Sequence, residues 1–595
     1  MTRRKPRSGP GAKPALVSSG AKPEVTAGVF AGVMVGVSVG MARWVRNKLG
    51  TLDYSGVDEE RDLRGRRGLG RAAVLCAVMG GAWTGVAAGQ ASGVNAPSYS
   101  FEDAGAGQAA AADAEKSTIM TKEQAKELFA SVDEIMAFAS KDTGLPGVPH
   151  VKRKLVSRQE VNAYLVKNFD EDESSKRLQR SEIVLKKFGM LSQDFQLRPF
   201  LLSLLTEQIA GFYDDKTKTV NLLNWIQPDE QKPVLAHELT HAIQDQKVGL
   251  EKWSSTGFKG TSKNAGEDNA RVQVDELETA RQAVAEGQAM VVYLDWDLRD
   301  TGKTLAESPE KWEMVKENMT DMSSSPVMAR APLLLQRSLE FPYVDGLNFE
   351  HTLEAQPNGK DVAFAGALMR PPNSSFEVMN PKAYLAHVAV PVLRMPDVHG
   401  LLDGEYEPYD VGVMGELDVE IMASLFGGDG LAKALAPQWA GGVYYAGQRR
   451  SATPAEKATT GSLGLFYLSH WRSPEAATGF EEIYQAELGR KYAKLTERKK
   501  DELDSRETVF SSNEGDVLLS RSGDALFISE GFPLETARKL RELAEAAQAS
   551  GPMQMAAGRV GARGELAEGL SEGMERFGIL KGAVQAESVA GVAPR

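Results

Sequence analysis

Across 595 residues the chain holds one cysteine, Cys76, and only 7 histidines. A lone thiol closes no intrachain disulfide and excludes every metal site built from several thiolates. Any bound metal must therefore be held by histidine and carboxylate, and stability must come from the core. Basic residues are scarce too, except at the start. The formal net charge is −12, yet residues 1–71 carry 14 Lys/Arg against 6 Asp/Glu, so the rest of the chain is more acidic than the total suggests. An acidic body argues against nucleic acid as a partner, because binding phosphates needs a basic surface. A long apolar run is also missing near the start: Ala27 to Ala42 covers 16 residues, short of the roughly 20 that cross a bilayer. What remains is ordinary for a globular protein, with 42% hydrophobic and 25% charged residues, enough for two or three domains or one large α+β domain with an attached module.

The basic head reads as targeting. Arg64, Arg66, Arg67 and Arg71 precede the apolar stretch Ala72 to Ala88, and small residues suited to cleavage follow near Ala88 or Ala91. These are the three parts of a secretory signal. They predict export to the periplasm or medium, a mature N-terminus between Gly89 and Val94, and residues 1 to about 60 as an upstream leader. The alternative is an uncleaved membrane anchor. Cys76 lies within the apolar stretch behind Leu75, which is not the small residue a lipoprotein signal needs.

The expected organisation is a leader and signal or anchor segment over 1–91, a flexible Ala/Gly/Ser-rich tether over 92–118, and a first folded domain over 119–330, the one that carries the candidate site residues. A mixed α/β region over 331–500 completes or flanks the cleft, followed by a β-hairpin plus helix over 501–550 and a loosely ordered tail over 551–595. Thr121 with Gln124 and Ser157 with Glu160 have the spacing of capping boxes and predict helices. Gly211–Asp214 and Thr219–Leu223 flank a polar turn and predict a hairpin. Helices are expected from Pro199, from Pro233 to about Gln246, from Asp275 to about Leu298 and from Leu534 to about Gln548, with a second hairpin over Asp516–Ile528.

The chemistry centres on His237-Glu238-Leu239-Thr240-His241. Residues four apart share a helix face, so His237 and His241 can offer ring nitrogens to one Zn²⁺, while Glu238 is placed to act as general base on the attacking water. With so few histidines, an accidental match arises in roughly one chain in a hundred or fewer. A catalytic zinc site needs a third protein ligand, and no histidine follows closely; the next is His351. Glu286 is the best candidate, the sole acid in the small and apolar run Ala283–Ala289, where Gly287 and the alanines would let its helix approach the histidine helix. Glu276 and Glu278 are weaker candidates in a more polar stretch. Thr219–Leu223, just before the histidine helix, is a candidate edge strand for pairing with a substrate backbone. A transition-state donor should also exist, and Tyr343, His351, Tyr384 and His387 are open alternatives.

Gly211-Phe212-Tyr213-Asp214, the segment Ala236 to Gln246 and Glu286-Gly287 together resemble a group of exported bacterial and archaeal gluzincin-like metallopeptidases with an HExxH motif. The likeness continues thinly through Phe341–Gly346, Arg370-Pro371-Pro372 and Gly415-Glu416-Leu417. It implies an α+β fold with a mainly helical zincin-like catalytic core, an edge β-hairpin and a mixed α/β C-terminal half. It also implies a zinc ligand set of His237, His241 and Glu286, and hydrolysis of a protein or peptide substrate. Two positions depart from the pattern: Gln288 stands where an acid commonly follows Glu-Gly, and Asn380-Pro381 stands where a His-Pro pair is expected. Alternatives of another class are a weakly active zinc-binding scaffold at the cell surface and a zinc amidase acting on cell-wall peptides.

Overall fold

The computed structural model describes residues 119–169, 172–208, 211–214, 217–254, 262–318 and 327–554. The expected leader, signal segment and tether lie outside these residues, as does the expected tail apart from 551–554. Thr121 opens α1 (Lys122–Thr143) with a complete capping box, its hydroxyl accepting the Gln124 N–H while Gln124 Oε1 accepts the Thr121 N–H. Strand β1 (Lys152–Val156) follows, and the same reciprocal cap between Ser157 and Glu160 opens α2 (Arg158–Phe169). Next come α3 (Asp172–Phe188) and α4 (Leu197–Gln208), which begins two residues before Pro199.

Strands β2 (Gly211–Asp214) and β3 (Thr219–Leu223) form the expected hairpin. The role expected of β3 does not survive. It pairs antiparallel with β2 on one side and parallel with β1 on the other, so both its rows of main-chain groups are used. The outer strand on the hairpin side of this three-stranded sheet is β2.

Helix α5 (Pro228–Val248) carries both histidines and starts earlier than expected. Pro228, lacking the N–H that a first-turn residue leaves unused, occupies the helix start, and Pro233 lies inside the helix rather than opening it. Helices α6 (Leu277–Leu298), α7 (Pro309–Asn318) and α8 (Leu333–Glu354) follow. Helix α5 packs between α1 and α6 with β2 and β3 beside it, and α6 runs along α8.

The later residues build a seven-stranded sheet that sequence periodicity does not reveal as one unit. Its order is β5 (Tyr406–Val413), β6 (Trp439–Arg449), β7 (Leu463–Trp471), β11 (Ala525–Glu530), β10 (Gly515–Ser522), β9 (Glu507–Ser512) and β8 (Leu495–Glu497), with every neighbouring pair antiparallel. The hairpin expected over Asp516–Ile528 is the β10–β11 pair. A short strand, β4 (Pro391–Val392), pairs with β12 (Met553–Gln554). Helices α10 (Pro474–Lys491) and α11 (Leu534–Gln548) pack on the large sheet, and α9 (Glu416–Gly427) bridges α8 and α10. The fold is α+β. No helix among the described residues is long and apolar enough to cross a membrane.

Candidate metal centre

Two helices bring the centre together. Val234, Leu235, Leu239 and Ala242 bury α5 among its neighbours, and the four-residue spacing turns His237 and His241 to one side. From α6, Glu286 enters that same side. His237 Nε2 lies 3.1 Å from Glu286 Oε2 and 3.1 Å from His241 Nε2, and His241 Nε2 lies 3.5 Å from Glu286 Oε2. Ligand atoms about 2.0–2.1 Å from a tetrahedral ion stand about 3.3–3.4 Å apart, so this triangle has the size of one face of such a coordination shell. Among the described residues it is the only group of three or more His, Cys, Asp or Glu that could hold a metal ion.

The electrostatics fit a cation. Burial would raise the Glu286 carboxyl, but His241 charge and the histidine hydrogen bonds outweigh it and lower it to about 2. Burial would lower His241, and the Glu286 charge outweighs that, pushing it up to about 9. His237, where burial dominates, falls to about 4. The pocket thus keeps a carboxylate and recruits positive charge to it, a demand that a divalent ion meets with both rings neutral.

A second layer fixes the His241 ring. His241 Nδ1 lies 2.8 Å from Gln244 Oε1, and Gln244 Nε2 donates to Ala285 O at 2.9 Å and to Gln288 Oε1 at 3.0 Å. Both amide protons of Gln244 are thereby committed, so its oxygen must face the ring. Nδ1 then carries the proton and Nε2 turns its lone pair inward. Gln288 in turn donates to Ala363 O at 2.8 Å. The amide at position 288 fills the place of the acid that the resemblance leads one to expect, accepting from Gln244 with one end and donating with the other.

Glu238 is fully buried and burial pushes its pKa up to about 8. Its Oε2 accepts the Tyr213 main-chain N–H at 2.7 Å, whereas Oε1 has no hydrogen-bond partner. Of the four aromatic and imidazole candidates, only Tyr343 reaches the centre. It is 1% exposed, its pKa is driven well above the ordinary phenol value by burial and by the Glu286 and Glu238 charges, and its hydroxyl makes no well-formed hydrogen bond. His351 stacks on Trp312 with ring centroids 3.9 Å apart, Tyr384 donates to Arg370 O at 2.6 Å, and the exposed His387 contacts Arg370. Asn380 donates to Glu416 Oε2 at 2.8 Å, away from the centre.

Glu276 and Glu278 are buried, not set on a polar face as their neighbours suggest, and neither joins the cluster. Glu276 instead accepts from the Ser375 N–H and hydroxyl. Gly287 also acts differently from the expectation. A Cβ there would meet Gly346 of α8, 2.3 Å from its carbonyl oxygen, so the glycine closes α6 on α8 and not on the histidine helix. Gln244 and Asp245 belong to no recognised motif, and the signal that marks them is spacing, three residues from His241 and seven from Glu238, which puts each on the functional face.

No protein-family model, curated protein or solved structure matches this chain.

Proposed function

We propose that the chain is an exported zinc-dependent metallopeptidase of gluzincin type with a zincin-like core. The observation that carries this reading is the triangle of His237, His241 and Glu286 with the unpartnered Oε1 of Glu238 in the same buried pocket. Zinc held there supplies a Lewis acid that polarises a carbonyl and makes water more acidic. Glu238 Oε1 takes the proton of the attacking water and returns it to the leaving amine nitrogen. Tyr343 presents its hydroxyl to the oxygen on which negative charge develops.

The test is zinc analysis of the purified chain joined to cleavage of a peptide library, with Glu238→Gln as control. The parent should hold one zinc and cleave. The control should hold the same zinc and lose roughly 10²–10⁴-fold in turnover. Cleavage at the parent rate by zinc-replete Glu238→Gln would remove the base from the mechanism.

Enclosure of the centre favours a second reading. His237 and Glu238 are 0% exposed, His241 is 1% and Glu286 is 3%. A zinc-binding scaffold with little turnover has this character. Bound zinc with no cleavage of casein, the library or cell-wall peptides would select it.

A further inference from the structure

One residue grips the base helix at two points. Tyr213 on β2 gives its main-chain N–H to Glu238 Oε2 at 2.7 Å and its phenolic O–H to Asp245 Oδ2 at 2.8 Å. Glu238 and Asp245 are seven residues apart on α5, two turns along one face. Asp245 is itself anchored. Its Oδ1 accepts the Leu250 N–H at 3.1 Å, and Lys218, at the far end of the hairpin turn, forms an ion pair with Oδ2. Both Tyr213 and Asp245 are buried.

Strand pairing alone leaves β2 weakly fixed, because it is only four residues long and bonded to β3 on one side. The Tyr213 N–H nevertheless has to meet a single carboxylate oxygen. An anchor on the Tyr213 side chain, set into the same helix that bears the base, holds strand and base in a common frame.

We propose that Asp245 is a positioning residue for Glu238. By holding the Tyr213 hydroxyl it keeps the β2 amide on Oε2, which leaves Oε1 as the oxygen that receives the proton. The inference rests on the reading of Glu238 as general base.

The full chain loaded with zinc is compared as parent, Tyr213→Phe, Asp245→Ala, Asp245→Asn, Glu238→Gln and the Tyr213→Phe/Glu238→Gln pair. Zinc content, melting temperature, hydrogen exchange at the Tyr213 amide, and kcat and KM on a peptide the parent cleaves are recorded. Tyr213→Phe and Asp245→Ala should keep zinc, speed amide exchange, and lower kcat roughly tenfold or more with KM little changed, the scale of one hydrogen bond to a charged group. Asp245→Asn still accepts the phenol and should keep more of kcat than Asp245→Ala. In the Glu238→Gln background, Tyr213→Phe should cost nothing further, since the effect runs through the base. Unchanged amide exchange, unchanged kcat, or an equal loss in both backgrounds overturns the inference while leaving the base in place. Parent-like turnover by Glu238→Gln alone is a different failure, that of the base assignment, and takes the inference with it.

Discussion

Gly287 and Gly346 meet so closely that a Cβ on Gly287 would stand 2.3 Å from the Gly346 carbonyl oxygen, and a Cβ on Gly346 would stand 2.3 Å from the Ala283 carbonyl oxygen. The obstructing atoms are main chain on both sides, so no rotamer change relieves them. This contact sets the spacing of α6 and α8, and with it the position of Tyr343, less than one turn before Gly346, against Glu286, adjacent to Gly287. Gly287→Ala should therefore cost about 1–3 kcal/mol or more. It should also weaken zinc binding, although it removes no ligand. Chemical denaturation with and without zinc measures both effects. Parent-like stability in both conditions would show that the helices separate freely.

The same contact shows where reading the sequence succeeds and where it stops. His237, Glu238 and His241 are legible because their relation is local, one face of one helix. Glu286 is legible because an acid amid alanine, glycine and valine needs a buried partner. The capping residues Thr121 and Ser157 mark their helices for the same local reason. Pairing between distant segments is not legible. Nothing in Gly287 says whether its bare face meets α5 or α8, and nothing in Thr219–Leu223 says that Lys152–Val156 will occupy its second edge. Likewise, the place of β5 and β11 in one seven-stranded sheet depends on pairings such as Tyr406 with Arg449 and Glu530 with Leu465, which no local pattern announces.

Glu286→Ala should lose zinc or bind it orders of magnitude more weakly, since two histidines alone hold it poorly and His241 loses its counter-charge. Added zinc should then raise the melting temperature less than it does for the parent. Glu276→Ala is the contrasting variant. It strands the buried Ser375 groups and should cost about 1–3 kcal/mol of stability, with zinc affinity unchanged. Dialysis against buffered zinc followed by metal analysis separates the two. Retention of zinc by Glu286→Ala at the parent affinity would rule out the ligand set.

Tyr343→Phe should separate activity from stability. The hydroxyl is buried beside Glu286 without a well-formed hydrogen bond to it, so the loss of that contact and the relief of a desolvated polar group offset each other, and the variant should be about as stable as the parent. If that hydroxyl serves the developing oxyanion, kcat should fall about 10²-fold or more, with zinc content unchanged. Melting curves and steady-state kinetics on the same preparations test this. A drop in stability with full turnover would make Tyr343 a packing residue.

The last prediction concerns pH and lies at the far end of α6. Asp295 faces Asp142 from α1, Glu354 from the end of α8, and Lys360, whose Nζ lies 2.7 Å from Asp142 Oδ1. Three carboxyls share one ammonium, so they cannot all ionise comfortably. Burial and then the Asp142 charge push Asp295 up to about 8, while burial, opposed by Lys360, holds Glu354 at about 7. Ordinary Asp and Glu carboxyls in an unfolded chain titrate near 4. The folded state therefore binds more protons than the unfolded state between about pH 4 and pH 8. The associated stability is complete below pH 4 and is lost as pH rises through the folded values. For one proton the slope is at most roughly 1.4 kcal/mol per pH unit. Asp295→Asn keeps an acceptor for the Leu305 N–H, which Asp295 Oδ1 receives at 2.5 Å, but it cannot ionise. Its melting temperature should fall less than the parent's between pH 5.5 and pH 9, and the curves should cross or converge toward the acid end. Because other groups titrate alike in both proteins, the difference between them isolates this cluster. Parallel curves across that range would mean that Asp295 is already ionised in the folded protein and that Lys360 neutralises more of the cluster than its pairing with Asp142 suggests.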